Sequence, residues 1–145
     1  MNSRTKASLM LAAGLLAAGL FLTVRPVAAH HSFAAEYDSN KPVTLKGVVS
    51  KFSWVNPHAY VWVDVKDENG KVTTWAMETL SPNALVRQGW TRDSLKVGDE
   101  VTIEGFAAKD PRPLEDGSTH GNARTITLAN GQRVFSGNAG GGPAK

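Results

Sequence analysis

Apolar and polar positions alternate along most of the chain after residue 42, a pattern typical of strands with one buried face. In "HAYVWVDVK", residues 58–66, apolar side chains occupy the odd positions, whereas His58, Tyr60 and Trp62 share the opposite face. "DENG" follows with the residue types of a turn, and "KVTTWAMET" returns as a second arm. Residues 58–79 are therefore predicted to form a β-hairpin.

The segment before this hairpin, "PVTLKGVVSKFSW", changes the phase of its alternation near Gly47. Val43 and Leu45 share one parity, whereas Val48 and Phe52 share the other. A change of phase at a glycine is typical of a bulged, strongly bent strand. We therefore expect a long first strand that bends at Gly47.

The second half of the chain predicts one helix and three strands. In "SPNALVRQG", Ser81 is a suitable N-cap, Pro82 suits the first helical position and Gly89 ends the helix. A strand is predicted from about Glu100 to Ala107. The Asn-Gly pair in "NARTITLANGQRVF" suits a tight turn with positive φ, which predicts a final hairpin.

The order of these elements predicts an all-β fold with one short helix. A bent first strand and a helix between strands three and four match a small OB-fold-like barrel of five to six strands, residues 43–136. An open β-sandwich of the same strands is the alternative. Residues 137–145 are Gly-rich and are predicted to be a disordered tail.

The first 29 residues have the features of a secretory signal peptide. They are basic, contain an apolar run over residues 7–24, and end with small residues at Val27 and Ala29. We expect cleavage after Ala29 and a periplasmic protein that begins at His30. The alternative is an uncleaved membrane anchor, because 18 apolar residues nearly span a bilayer.

Removal of the signal changes the charge of the chain. Of its 16 basic and 13 acidic residues, three basic and no acidic ones lie in residues 1–29, so the mature chain has 13 of each. Because nucleic-acid affinity comes mainly from neutralised phosphates, we expect no nucleic-acid partner, and membrane contact only through the signal peptide before cleavage. The absence of cysteine excludes disulfides and thiolate metal sites.

The candidate metal ligands are the four histidines His30, His31, His58 and His120. An N-terminal His30 offers its amine and imidazole to one metal ion, and such nitrogen ligands favour Cu(II) by intrinsic affinity. In an OB barrel, the loops after strands one and four flank the binding face, which brings His58 and His120 towards each other. The alternative is that all four are solvated or capping residues, because no closely spaced ligand motif is present.

A second candidate site is aromatic. Tyr60 and Trp62 lie on the face opposite the predicted core, where they stack against a flat ligand or are covered by the chain itself. Residues 30–42 are the expected cover, with Phe33 and Tyr37 as anchors on one face of a helical turn. The candidate ligand-binding residues are Trp54, Tyr60, Trp62, Trp75 and Arg124.

Four stretches carry a resemblance to a known family: "AHHSFAAEYD", "WVNPHAYVWVDV", "SPNALVRQGWTRDSLKVGDEV" and "GNARTITLANGQRVF". From His30 onward, the chain resembles a family of small exported bacterial proteins that is catalogued as a domain of unknown function. The resemblance implies no established activity. The loop "DPRPLEDGSTHGN" is longer than the one associated with this family, so His120 is expected to be peculiar to this chain.

Catalysis has little support in the sequence. No nucleophile or phosphate-binding motif is present, and Glu78 with Asp64 fits an exposed charged face as well as a carboxylate pair. We therefore predict an exported, non-enzymatic binding or accessory protein that holds copper or another divalent metal through His30 or His31 with His58. The alternatives are an aromatic-face module for a small ligand, a saccharide or a protein partner, and a small enzyme with an unrecognised site.

Overall fold

Six strands and two short helices form the part of the chain that the computed structural model describes, residues 33–137. The predicted signal peptide, His30, His31 and most of the predicted tail lie outside these residues. In chain order, the elements are α1 (Phe33–Glu36), β1 (Tyr37–Ser53), β2 (Tyr60–Lys66), β3 (Val72–Glu78), α2 (Pro82–Arg87), β4 (Glu100–Ala108), β5 (Thr119–Leu128) and β6 (Arg133–Ser136). Neither helix in residues 33–137 is long and apolar enough to cross a membrane.

Strand pairing closes five of the strands into a barrel. The order is β3-β2-β1-β4-β5-β6, and a parallel pairing of β3 with β5 joins the two ends of the five-stranded part. β1 pairs with β4 over its first part and with β2 over its last part, and α2 lies between β3 and β4 in the chain. This topology is that of an OB fold, so the predicted fold class is confirmed and the open sandwich is not formed.

The bend in β1 lies later than the alternation predicts. The pairing of β1 with β2 shifts register between Val49 and Lys51, not at Gly47. Val48 is therefore exposed and Val49 is fully buried. Gly47 has another role, because a Cβ there would collide with the carbonyl of Asp64 in β2. β1 also begins earlier than the predicted Val43, because residues 37–42 continue along β4.

The barrel interior is filled by apolar side chains from every strand and from α2. The odd positions of β2 face this core as predicted, and Met77 is fully buried there. α2 begins with Ser81 as N-cap and Pro82 in its first turn, and Gly89 has φ 84° just after its end. These capping features fix the helix so that Leu85 is fully buried in the core.

α1 and the start of β1 lie against β4 and β5. The rings of Phe33 and Tyr37 are 5.5 Å apart, and Phe33 packs edge-on against Phe106 at 5.5 Å. The amide of Lys109 donates to the carbonyl of Glu36 over 2.8 Å. Tyr37 is only 2% exposed, so its side chain is buried where this segment packs on the outside of the barrel. The domain boundaries at residues 30, 43 and 137 stay predictions.

Candidate functional site

A buried carboxylate lies at the end of β3. Glu78 is 7% exposed and pairs in register with Tyr60 of β2 on one side and with Asn122 of β5 on the other. Residues directly opposite each other in a sheet point to the same face. The closure of the barrel therefore surrounds Glu78 with side chains from two strands, on the face opposite the apolar core.

Three side chains converge on Glu78. The hydroxyls of Tyr37 and Tyr60 donate to its Oε2 over 2.8 Å and 2.7 Å. Nδ1 of His58 lies 3.1 Å from its Oε1. An ionised carboxylate only accepts hydrogen bonds, and bonds to a charged group are stronger than neutral ones. The three contacts therefore compensate much of the cost of burying this charge.

His120 joins the same group of residues from β5. Its Nε2 is 3.0 Å from the hydroxyl of Tyr37, and its ring is 5.3 Å from the Tyr37 ring and 6.0 Å from the Tyr60 ring. His120 lies in β5, not in the preceding loop as predicted, because the parallel pairing with β3 extends the strand back to Thr119. We name Tyr37, His58, Tyr60, Glu78 and His120 the Glu78 cluster.

The Glu78 cluster determines which ring nitrogen of His120 carries the proton when that histidine is neutral. Nδ1 of His58 lies 3.1 Å from Oε1 of Glu78, so Nε2 is the ring nitrogen of His58 outside this contact. Tyr37 has one hydroxyl proton and gives it to Glu78, so His120 must donate from Nε2 and keep Nδ1 as an acceptor. A neutral imidazole binds metals through a ring nitrogen that carries no proton, which for His120 is Nδ1.

Both tyrosines of the cluster are held as neutral hydroxyls. Burial raises the pKa of Tyr37 well above its usual range, and the charge of Glu78 raises it further. Burial and the hydrogen bond to Glu78 also raise the pKa of Tyr60. Tyrosinate beside an ionised carboxylate is unfavourable, so the two hydroxyls remain hydrogen-bond donors at neutral pH.

Two further features lie beside the cluster. Oδ1 of Asn122 is buried and accepts no hydrogen bond from residues 33–137, which costs about 1–3 kcal/mol. His120 lines an open groove of about 490 Å³ together with Lys109 and Arg112. Asp110 pairs with Arg112 in this groove, and the guanidinium lowers the pKa of that carboxyl to about 2.

The predicted metal ligands are brought together only in part. His58, from the loop before β2, and His120, from β5, both belong to the Glu78 cluster, whereas His30 and His31 lie outside the described residues. Within residues 33–137, no group of three or more His, Cys, Asp or Glu is arranged to hold a metal ion. The oxygens of Glu78 already accept two hydrogen bonds and contact His58, so the cluster does not offer a complete coordination sphere.

Tyr60 and Trp62 are neighbours on the outer face of β2, as predicted, with their rings 5.8 Å apart. Lys51 and Asp116 partly cover Trp62. The ammonium of Lys51 lies 4.2 Å from the centre of its ring, and its Nε1 donates to Asp116 over 2.9 Å. An open groove of about 390 Å³, lined in part by Trp62 and Asp116, remains beside it.

The other three predicted ligand-binding residues do not join this face. Trp75 pairs with Val63 and therefore packs against the core, on the opposite side of the sheet from Trp62. Trp54 packs edge-on against Phe52 at 5.7 Å. Arg124 is exposed on β5, forms no ion pair with a described residue, and lies over the ring of Phe106 at 5.7 Å.

Glu78 is the residue that the sequence reasoning missed. Asp64, which the sequence left open as either its carboxylate partner or part of an exposed charged face, accepts hydrogen bonds from Ser50 and Thr74. The register of the hairpin contains the missing signal, because a turn at "DENG" with pairing of Val72 to Lys66 places Glu78 opposite Tyr60. An acidic residue directly opposite a tyrosine on the same face of a sheet is close enough to form a hydrogen bond with it.

The strand order and the Glu78 cluster define the class: a small OB-fold barrel with a buried carboxylate in a cluster of two tyrosines and two histidines. The model of a family of unknown function, DUF6152, matches residues 19–123, and the chain belongs to that family. The expected relationship to a domain of unknown function is thus confirmed. No curated protein matches the chain.

Two crystal structures of Rim1, a mitochondrial single-stranded DNA binding protein from S. cerevisiae, are similar to this chain. Their sequence identities are 15% and 14%, and their TM-scores are 0.46 and 0.47. Each match covers 61% of this chain and 94% of the Rim1 chain. The OB-fold assignment rests on the strand pairing described above.

Proposed function

We propose that the protein is an exported accessory protein that binds a divalent transition metal, Cu(II) before others, through His58 and the N-terminal histidines His30 and His31. The observation that carries this proposal is the contact of 3.1 Å between Glu78 and Nδ1 of His58. A histidine that binds metal commonly donates its other ring N–H to a carboxylate, which fixes the tautomer and the orientation of the ring. Glu78 supplies that carboxylate.

His58 is accessible as a ligand. Its side chain is 43% exposed, whereas that of Glu78 is 9% exposed, so the buried partner orients an imidazole that remains open to solvent. Nε2 is the acceptor nitrogen of that imidazole. A nitrogen ligand of this kind follows the affinity order in which Cu(II) exceeds the other divalent first-row metals.

The remaining ligands are proposed to come from residues 30 and 31. His31 is two residues from Phe33, and two residues of chain span at most about 7 Å. Phe33 packs against Tyr37, a member of the Glu78 cluster. Cleavage after Ala29 would give His30 a free amine, so the amine and two imidazoles would supplement His58 with nitrogen ligands.

Native mass spectrometry of untagged protein from the exported fraction, before and after addition of Cu(II), tests this proposal. We expect a mass that begins at His30 and one tightly held copper ion per chain. His58→Ala should lower the copper affinity about tenfold or more. Val55→Ala, in the same loop and 51% exposed, is the matched control and should retain it. A wild-type chain that holds no copper would refute the proposal.

The second candidate function is an aromatic-face module for a small ligand, a saccharide or a protein partner. The groove beside Trp62 favours it, because indole with a neighbouring carboxylate offers both stacking and hydrogen bonding. A saccharide titration followed by tryptophan fluorescence tests it. A response should be lost in Trp62→Phe and kept in Trp90→Phe, since Trp90 is a core residue that is 4% exposed.

The balance of charge in the mature chain still predicts no nucleic-acid partner. The Rim1 structures bear the name of a single-stranded DNA binding protein, but equal numbers of acidic and basic residues in the mature chain leave little net attraction for phosphates. Titration of the mature protein with single-stranded DNA at low salt checks this prediction. Salt-sensitive binding in the micromolar range would contradict it.

A further inference from the structure

Residues 33–42, which comprise α1 and the start of β1, form a strap across the outside of the barrel. We propose that the Tyr37 side chain of this strap fills a binding pocket for small phenols, and that a phenol displaces the strap from the pocket. Among residues 33–42, only Tyr37 is buried, with 2% of its surface exposed. The pocket needs no metal ion, so it is independent of the proposed copper site.

The pocket is built from barrel strands. Oε2 of Glu78, in β3, accepts the hydroxyl proton of Tyr37 over 2.8 Å. The ring of His120, in β5, packs edge-on against the Tyr37 ring at 5.3 Å. Tyr60, in β2, donates to the same oxygen of Glu78 and holds that carboxylate from the other side. Because β3 pairs with both β2 and β5, these three side chains stay in place when the strap is lifted.

The strap is attached to the barrel over a short stretch. The pairing of β1 with β4 joins Tyr37 to Ala108 and resumes only where Pro42 meets Phe106, so four residues of β1 lie opposite one residue of β4. Residues 39–42 are exposed, and α1 has no buried residue. A segment with few buried apolar groups opens locally at a low free-energy cost. The strap can therefore open from residue 42 while the barrel remains closed.

The chemistry of the pocket selects a phenol. When Tyr37 leaves, Oε2 of Glu78 has one donor in place of two, and the ring of His120 loses its aromatic neighbour. A ligand has to supply a flat ring and a hydroxyl that donates, and a phenol with a pKa of about 10 does both at neutral pH. The open groove of about 490 Å³, lined by the strap and by His120, gives such a ligand a way in.

The first experiment titrates metal-free mature protein with 4-methylphenol, the side chain of tyrosine, and follows binding by NMR. Tyr37→Ala should bind it about tenfold more tightly than wild type or better, because the wild-type pocket is available only while the strap is open. Val97→Ala, 70% exposed before β4, is the control and should match wild type. Equal affinities in wild type and folded Tyr37→Ala, or no binding to that variant, would overturn the pocket.

Two further arms of the titration test the chemistry and the fold. Toluene lacks the hydroxyl and should bind Tyr37→Ala at least about tenfold more weakly than 4-methylphenol, since a site built for a hydroxyl rejects an analogue without one. Equal binding would overturn the role of Glu78. If Tyr37→Ala does not fold, Phe33→Ala keeps the tyrosine and loosens the strap by removing a ring 5.5 Å from Tyr37. It should bind 4-methylphenol more tightly than wild type, and no gain would overturn the proposal.

The second experiment measures amide exchange in wild type, with and without saturating 4-methylphenol. The amide of Lys109 donates to the carbonyl of Glu36 in the strap, so its exchange should become faster when the phenol binds, while that of Met77 in the barrel should not. Slower or unchanged exchange at Lys109 would overturn the displacement. N-acetyltyrosinamide is the comparison ligand, and its binding without that of 4-methylphenol would assign the pocket to a peptide instead of a small phenol. A chain that binds copper but no phenol would leave the proposed function intact and refute the pocket.

Discussion

Replacement of Glu78 by glutamine is the sharpest test of the site, because it keeps the shape of the side chain and removes its charge. The amide oxygen can take the place of Oε2 and accept from both tyrosine hydroxyls. The amide nitrogen then takes the place of Oε1 and can only donate. His58 must therefore accept at Nδ1, so its proton moves to Nε2 and the bare ligand nitrogen is lost.

The cost in stability follows from the two tyrosine hydrogen bonds and the contact with His58. A bond to a charged group contributes about 1.5–3 kcal/mol and a neutral one about 0.5–1.5 kcal/mol, so each buried tyrosine bond loses about 1 kcal/mol. The bond to the half-exposed His58 adds little, because water screens it. We expect Glu78→Gln to lower the free energy of unfolding by about 2 kcal/mol, or Tm by about 8 °C for a domain of this size.

The assay combines urea unfolding in the presence of a chelator with NMR of the His58 ring nitrogens. Glu104→Gln is the matched control, because that carboxylate accepts one exposed hydrogen bond from Thr125. Its effect should stay within about 0.5 kcal/mol. The reasoning is refuted if Glu78→Gln is as stable as Glu104→Gln, or if His58 keeps its proton on Nδ1.

Three further predictions concern the frame that holds the site. Gly47→Ala should cost about 2–3 kcal/mol in urea unfolding, because the added Cβ meets the carbonyl of Asp64, and a fully stable variant would contradict that contact. Stability should fall above about pH 10, because the unfolded chain then releases the protons of Tyr37 and Tyr60 while their raised pKa values keep the folded chain protonated. The slope is at most about 1.4 kcal/mol per pH unit for each tyrosine, and a stability that is flat between pH 9 and 12 would disprove it. Phe33→Ala should cost about 2 kcal/mol and speed amide exchange in α1, because the half-buried ring of Phe33 loses its packing on Tyr37. Unaltered exchange would show that α1 is held by other contacts.

Local patterns in the sequence were sufficient for several elements. The alternation over residues 58–66 predicted β2 and its buried face, because successive side chains of any strand point to opposite sides. Ser81, Pro82 and Gly89 predicted both ends of α2, since capping depends on a few neighbouring backbone groups. The same information was insufficient for the bend in β1, which depends on where two different strands pair with it.

The candidate site was predictable only in part. His58 and His120 were expected to approach each other from two loops of an OB barrel, and both contact the Glu78 cluster. Trp75 was grouped with Tyr60 and Trp62, but the register of β2 and β3 places it on the core face. One residue of register moves a side chain to the other side of a sheet, and composition does not specify that register.

The sequence by itself determined the strands, the short helix, the all-β class and the histidines worth examining, because these follow from the period of apolar residues and from capping chemistry. Only the tertiary structure decided that Glu78 is buried and central. Its neighbours come from two segments, Tyr37 from the start of β1 and His58 with Tyr60 from around the start of β2, and His120 arrives through the parallel closure of β3 with β5. A hydrogen-bond network across such distances has no local pattern, since it exists only once the barrel is closed.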